Sequence, residues 1–264
     1  MPELPEIESL TRSLRELVVG QTIVKATCDQ PKAVQPPVDQ FRELARGTVK
    51  AVSRRAKSFI FQLEAGSIWF HVGLRGQVIY EPAARAREPA LVTLDFASGS
   101  RMSIVRSFMG HARYLDNERS AEEWLKFGQE PLDENFTLEA LRSVIANGRR
   151  VSAKALLMDQ SVIAGIGNTY SDEILHTAGL HPTTRMGELS DEEQQKLLDS
   201  MRSVLLEAIA AGGEPDWIGL DGSAGQYAMK IHRRETCARC GSPSQRVPLQ
   251  GRTSYFCPVC QQKR

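Results

Sequence analysis

The chain opens Met1-Pro2-Glu3-Leu4-Pro5-Glu6-Ile7-Glu8, a stretch that places a main-chain amine and two carboxylates at the head of a helix. Proline is tolerated in a first helical turn, and acids suit the positive end of the helix dipole, so these residues start a helix on local grounds alone. Ile7, Leu10, Leu14 and Leu17 continue it at helical spacing, and Gly20 is its natural stop. Glu6 stands one turn beyond Glu3, the separation that puts two side chains on one face. If Met1 is removed, Pro2 becomes a terminal secondary amine. Such an amine can attack an aldehyde-like carbon and give an iminium, the logic of a Schiff-base lysine moved onto the main chain. An α-amino group titrates near pH ~7.7 to 8.0 against ~10.4 for lysine, so a usable fraction is unprotonated at neutral pH.

Outward from that helix the period changes. Short alternating runs at 22–26, 49–52, 58–63, 67–72, 77–80, 90–96 and 101–105 predict strands, with Ala97-Ser98-Gly99-Ser100 as a hairpin turn between the last two. An antiparallel sandwich is the expected outcome. Beyond a predicted helix at 121–127, the pattern becomes helical. Thr137 can cap a helix carrying Leu138, Leu141, Val144 and Ile145. Segments 152–159 and 168–177 flank the turn Gln160-Ser161-Val162-Ile163-Ala164-Gly165-Ile166-Gly167, and Ser190 to Glu193 is a capping box opening a long helix to about Ala211. Residues 216–226, with Gly219, Gly222 and Gly225, read as a flexible loop.

The end of the chain carries the strongest single motif. Cys237-Ala238-Arg239-Cys240 and Cys257-Pro258-Val259-Cys260 supply four thiolates as two Cys-x2-Cys knuckles separated by sixteen residues. That spacing is the closed ligand set of one structural Zn2+, with iron–sulfur ligation the other chemistry open to four thiolates. Arg246 to Leu249 and Thr253 to Phe256 can pair between the knuckles, placing Gly251 and Arg252 near a hairpin tip. Cys28 is left over, with a buried thiol as its simplest role.

Composition bounds the class. The chain has 264 residues, 41% hydrophobic and 25% charged, an average soluble make-up in a length that suits two domains. No apolar run approaches the ~18 residues of a membrane helix, and the charged start lacks a signal-peptide core, so a cytoplasmic protein without membrane contact is expected. The net charge of +1 conceals a basic end: from Lys230 to Arg264 there are eight Lys or Arg against Glu235 alone. A local patch of this kind suits phosphates.

Met1 to Glu8, then Ala153-Lys154 through Gly165-Ile166-Gly167-Asn168 and the terminal four-cysteine array, in this order, resemble the formamidopyrimidine-DNA glycosylase and endonuclease VIII family of base-excision repair enzymes. The opening leans to the first branch, because the second typically has Gly where Leu4 stands. The resemblance implies an α+β multidomain fold: an N-terminal helix and β-sandwich (1–130), a helical helix-two-turn-helix domain (131–230) and a zinc finger built on a β-hairpin (231–264). It implies a monomeric, bacterial-type, nucleoid-associated enzyme acting on damaged double-stranded DNA as a glycosylase and abasic-site lyase.

By the same resemblance, Pro2 is the nucleophile, Glu3 and Glu6 are the acids beside it, and Lys57 of Arg54-Arg55-Ala56-Lys57 holds a phosphate beside the lesion. His71-Val72-Gly73-Leu74-Arg75-Gly76 resembles the family's His-Leu-Gly-Met-(Ser/Thr)-Gly stretch, with His71 as a phosphate contact and Leu74 filling the gap left by an extruded base. Asn168 and Lys154 become backbone contacts, and Arg252 the arginine that flanks the lesion. A loop at 216–226 closes over the flipped base in that branch, and here it is short. The largest departure is Val105-Arg106-Ser107-Phe108-Met109-Gly110, where the branch usually has Asp-Pro-Arg-Arg-Phe-Gly. Alignment on Gly110 puts Phe108 at the arginine that reads the partner base and Met109 at the inserted phenylalanine. An apolar wedge survives. This departure also motivates a competing expectation, a protein that recognises damaged or abasic DNA without cutting it.

Overall fold

Residues 1–84 and 89–263 are described by a computed structural model, in which the chain forms two compact units, Met1–Lys126 with Pro215–Gly225, and Phe127–Glu214 with Gln226–Arg264. Helix α1 (Leu4–Val18) begins the first unit with Pro5 in its first turn and buries Leu4, Ile7, Leu10, Leu14 and Val18. Leu17, expected on that face, is 37% exposed. Val18 takes its place because the buried stripe steps by four at its end.

Ten strands then build two five-stranded sheets. They are β1 (Thr22–Thr27), β2 (Val34–Gln35), β3 (Gly47–Thr48), β4 (Ala51–Arg55), β5 (Ser58–Gln62), β6 (Gly66–His71), β7 (Gln77–Glu81), β8 (Ala90–Phe96), β9 (Arg101–Val105) and β10 (His111–Asp116). One sheet runs β3-β1-β8-β9-β7 and the other β2-β10-β6-β5-β4. Pairing is antiparallel except between β2 and β10. The core is one cluster in which the fully buried Phe59, Phe61 and Phe70 meet, Phe59 stacked on Phe70 at 4.7 Å between ring centroids. Aromatic pairs of this geometry contribute about 0.5–1.5 kcal/mol beyond their buried area. Cys28 is buried in the same cluster.

Not anticipated from sequence were α2 (Val38–Leu44), whose only buried residue is Phe41, the two-residue strands β2 and β3, and β10. Helix α3 (Asn117–Leu125) starts earlier than expected because the Asp116 side chain accepts the Arg119 N–H at 2.9 Å. Segment 215–225 also belongs to this unit. Trp217, 6% exposed, joins the sandwich core, and Gly225 N–H returns to Trp217 O at 2.9 Å. The expected flexible loop is therefore a closed turn seated on a tryptophan.

The second unit is helical with a terminal hairpin. Helices α4 (Leu138–Asn147), α5 (Ala153–Met158) and α7 (Asp191–Ala210) start at the side-chain caps Thr137, Ser152 and Ser190. Helix α6 (Asn168–Ala178) starts after Gly167 and ends at Gly179, whose φ of +74° is a left-handed cap. Helix α6 packs on α5, on α7 and on the hairpin strand β12 (Arg252–Phe256), which pairs with β11 (Gln245–Leu249). Among the described residues, no helix is long and apolar enough to cross a membrane.

Candidate active site and nucleic-acid interface

The tip of α1 is built by its own caps. Glu3 is the N-cap, and its backbone N–H donates to Glu6 Oε2 at 2.8 Å in a reciprocal capping box. Pro2, Glu3 and Glu6 are all buried, Glu6 completely. Glu6 thus orients the residues before it and does not face outward. The helix shaft is tied to β4 by Arg54, which donates to Glu8 Oε2 at 3.0 Å. Burial alone would raise the Glu8 carboxyl, but Arg54 and Arg12 outweigh it and hold the group below its ordinary range.

The next turn presents Lys57. Arg55 pairs with Ser58, so Ala56 and Lys57 form the two-residue turn between β4 and β5, with Ala56 at φ +51°. A non-glycine residue there costs about 1–2 kcal/mol. Arg55 fixes the turn from behind: its guanidinium donates to Trp124 O at 3.2 Å and lies 5.1 Å from the Trp124 ring centroid. Lys57 is 9% exposed. His71, at the end of β6, is pushed down to about 4 by burial and then by the charges of His111, Lys57 and the amino terminus. His71 Nδ1 accepts the Gly73 N–H at 3.2 Å, so the neutral ring carries its proton on Nε2, a donor at neutral pH.

The loops that follow β6 and β9 join each other. Leu74 and Phe108 exchange backbone hydrogen bonds at 2.7 and 3.1 Å, and Ser107 Oγ donates to Val72 O at 2.7 Å. The pairing leaves Leu74, Phe108 and Met109 outside, 38%, 64% and 71% exposed, as one apolar ridge. Gly73 makes it possible. Its φ is +75°, and a Cβ there would lie 2.4 Å from Phe108 O and 2.5 Å from Gly110 N. Gly73→Ala is expected to separate the loops and cost about 1–3 kcal/mol. A denaturant midpoint unchanged from the parent would contradict this.

In the second unit the turn between α5 and α6 is stapled by Gln160, which sequence reasoning missed. Its amide donates to Met158 O and Ile166 O at 2.9 and 2.7 Å and accepts the Gly165 N–H at 2.8 Å. A glutamine inside a glycine-rich turn was the available signal. Asn168 Nδ2 donates to Thr253 O at 3.2 Å. Lys154 departs from an outward phosphate contact: it is 1% exposed, with Nζ 2.5 Å from Asp172 Oδ1 and 3.2 Å from Asn168 O. Leu249 and Arg252 close the hairpin tip around Gln250 and Gly251, both at positive φ, the pattern of a type I′ turn. Arg252 is exposed there.

The four cysteine sulfurs of Cys237, Cys240, Cys257 and Cys260 lie within 4.8 Å of one another. Tetrahedral zinc with bonds of about 2.3 Å spaces its sulfurs by a similar amount. Backbone N–H groups of Arg239 and Cys260 point at Cys237 and Cys257 sulfurs at 3.4 Å, and His176 Nε2 lies 3.0 Å from Cys237 Sγ. The donor set fits one structural zinc, whose four thiolates leave no open coordination position for chemistry.

Comparison with known proteins gives a consistent result. Three family models match: "Formamidopyrimidine-DNA glycosylase N-terminal domain" over residues 1–108, "Formamidopyrimidine-DNA glycosylase H2TH domain" over 127–216, and "Zinc finger found in FPG and IleRS" over 234–263. The chain is 37% identical to the formamidopyrimidine-DNA glycosylase of Chloroflexus aurantiacus, covering 99% of this chain and 98% of that one. It is 32% identical to the protein of the same name from Shouchella clausii over 99% of both. Among solved structures, a Lactococcus lactis complex with Fapy-dG-containing DNA superposes with a TM-score of 0.90 at 31% identity, over 99% of this chain and all of that one. A complex of the Lactococcus lactis protein with abasic-site DNA gives 0.89 at 30% identity, with the same coverage.

Proposed function

The chain belongs to the formamidopyrimidine-DNA glycosylase family, and from that membership we propose how its own residues carry the chemistry. It is a DNA glycosylase with abasic-site lyase activity in base excision repair, and its zinc is structural. Its substrate is damaged double-stranded DNA, met as a monomer in the cytoplasm at the nucleoid. With Met1 removed, the Pro2 nitrogen attacks the sugar C1′ as the damaged base departs with its bonding electrons. Glu3 protonates the opening sugar, with Glu6 holding the Glu3 backbone in place. The resulting iminium acidifies C2′, and loss of that proton expels the phosphate on the 3′ side, which Lys57 and the Nε2–H of His71 hold during elimination. The observation that carries this reading is the built tip of α1, where Pro2, Glu3 and Glu6 are all buried and the Glu3 N–H is held on Glu6 Oε2.

Glu3→Gln is expected to slow base excision by about 10²–10⁴-fold, the range for a positioned general acid. Single-turnover excision at the parental rate would remove Glu3 from the mechanism.

Flipping a nucleotide costs a few kcal/mol, least for a damaged base, and something must fill the space it leaves. We assign that task to Leu74, Phe108 and Met109. Asn168 and Arg252 contact the DNA backbone, Arg252 with the forked donors that suit phosphate. Neither Phe108 nor Met109 can address a base edge, so the ~1–3 kcal/mol of discrimination from a bidentate contact is missing and the opposite base should matter little. Phe108→Ala should weaken lesion binding by about 1–3 kcal/mol, the usual worth of base–aromatic stacking. Excision by parent and Phe108→Ala from one lesion paired in turn with each of the four bases, with the lesion-binding affinity of both proteins, tests both statements. A strong preference for cytosine that survives Phe108→Ala would show that another donor reads the partner strand.

A further inference from the structure

One face of α6 reaches the hairpin of its own unit at consecutive residues. Asn168 Nδ2 donates to Thr253 O. Asp172 accepts from Ser254 Oγ at 2.7 Å on Oδ1 and from Tyr255 N–H at 3.1 Å on Oδ2. Residues 253, 254 and 255 directly follow Arg252. Further along the helix, Glu173 accepts the backbone N–H groups of Lys230, Ile231 and His232 at 2.7, 2.9 and 2.7 Å, and His176 meets Cys237. Positions 168, 172 and 176 are four apart, so the grips of Asn168, Asp172 and His176 lie along a single stripe, with Glu173 beside it.

Asp172 is the centre of the arrangement. Its side chain is 0% exposed, and besides the two hairpin donors it takes Lys154 Nζ at 2.5 Å and His232 Nδ1 at 2.7 Å. A buried carboxylate is costly unless paired and hydrogen-bonded, and replacing such a pair by apolar residues is often neutral or stabilising. A charge used here only as glue would be a poor choice. What it does provide is direction, because both oxygens accept from β12, Oδ1 from Ser254 beside Lys154 of α5 and Oδ2 from Tyr255 beside His232, and so set strand register against helix.

We propose that Asp172, with Lys154 as its buried counter-charge, is a positioning residue for DNA: it sets β12 against α6 so that Arg252 and Asn168 address one DNA backbone together. This rests on the reading of those two residues as phosphate contacts. Lys154 then serves DNA binding from inside the unit.

The test uses full-length, zinc-loaded protein and a duplex carrying an abasic-site analogue, with affinity measured across salt concentrations. Arg252→Ala and Asp172→Asn are each expected to weaken binding about tenfold, the scale of a lost charge-assisted hydrogen bond, and the double variant is expected to lose no more than either alone. The slope of log affinity against log salt should fall by roughly 0.9 in all three, one phosphate contact, although Asp172 touches no phosphate. Zinc content and the maximal covalent-trapping rate of Asp172→Asn should stay parental. Independent losses that multiply in the double variant, or a parental salt slope in Asp172→Asn, overturn the proposal. Parental binding by Arg252→Ala overturns the phosphate reading and the proposal with it, whereas a weakened Arg252→Ala beside a parental Asp172→Asn overturns the proposal alone. Because Asp172→Asn removes the carboxylate charge facing Lys154, Ser254→Ala and the uncharged pair Lys154→Met with Asp172→Asn complete the series. If circular dichroism shows Asp172→Asn unfolded, these two decide by the same comparison with Arg252→Ala.

Discussion

Borohydride added to Met1-processed protein and abasic-site DNA is expected to fix a covalent protein–DNA complex, and protein that retains Met1 is expected to form none. The chemistry requires this contrast. A terminal Pro2 offers a secondary amine whose lone pair can form an iminium at C1′, and hydride converts that iminium to a stable tertiary amine. Behind Met1 the same nitrogen is an amide with no available lone pair, and the amine has moved one residue outward to a position that is 42% exposed. Pro2→Gly keeps a primary amine at the site but loses the ring. Its trapping is expected to fall by at least about tenfold, since a misplaced reacting atom alone can cost ~10²-fold. Mass spectrometry of the trapped, digested complex should put the adduct on the first residue. Trapping by a chain with a blocked amino terminus at the rate of processed protein would exclude Pro2 as the nucleophile and shift attention to Lys57.

Removal of zinc is expected to abolish tight DNA binding while the sandwich remains folded. Structural zinc supplies on the order of 10–16 kcal/mol of apparent binding energy in small finger peptides, more than this hairpin can replace by burial. The local cluster beneath the hairpin consists of Ile231, Cys237 and Cys257 with Tyr255 and Cys260 against it, so three of its five members are zinc ligands. Cys240→Ser should weaken affinity by about tenfold to hundredfold, the 1.5–3 kcal/mol of a charge-assisted contact at Arg252. The chain carries its own control. All three tryptophans, Trp69, Trp124 and Trp217, lie in the first unit. Intrinsic tryptophan fluorescence therefore reports the sandwich alone, and its unfolding midpoint should be the same in Cys240→Ser and parent. Parental affinity in a demonstrably zinc-free variant would show the hairpin to be dispensable for binding.

Much of this molecule was legible in order along the chain. Alternating apolar residues marked most sandwich strands, because a strand with one buried face must repeat every second residue. The helix at 38–44 escaped because seven residues with a single buried side chain, Phe41, leave no period to detect. The expected flexible loop at 216–226 was misjudged from its glycines, because Trp217 finds its place in the sandwich core only once that core exists. The divergence at Phe108 and Met109 was also visible directly, since residue type alone decides whether a base edge can be addressed.

By itself, then, the sequence determined the residue types on offer: a proline and two glutamates at the head of the first helix, four cysteines at ligand spacing, and Phe108 and Met109 with no side-chain donor between them. Each depends on residue identity and short separations, which covalent geometry carries. Only the tertiary structure decided what each charged group faces. Lys154 turns inward to Asp172, 18 positions away, and Asp172 reaches Ser254 across another 82. A charge keeps to water or to a partner according to the solvation lost and the hydrogen bonds gained at its folded position, and that balance exists only after distant segments have been brought together.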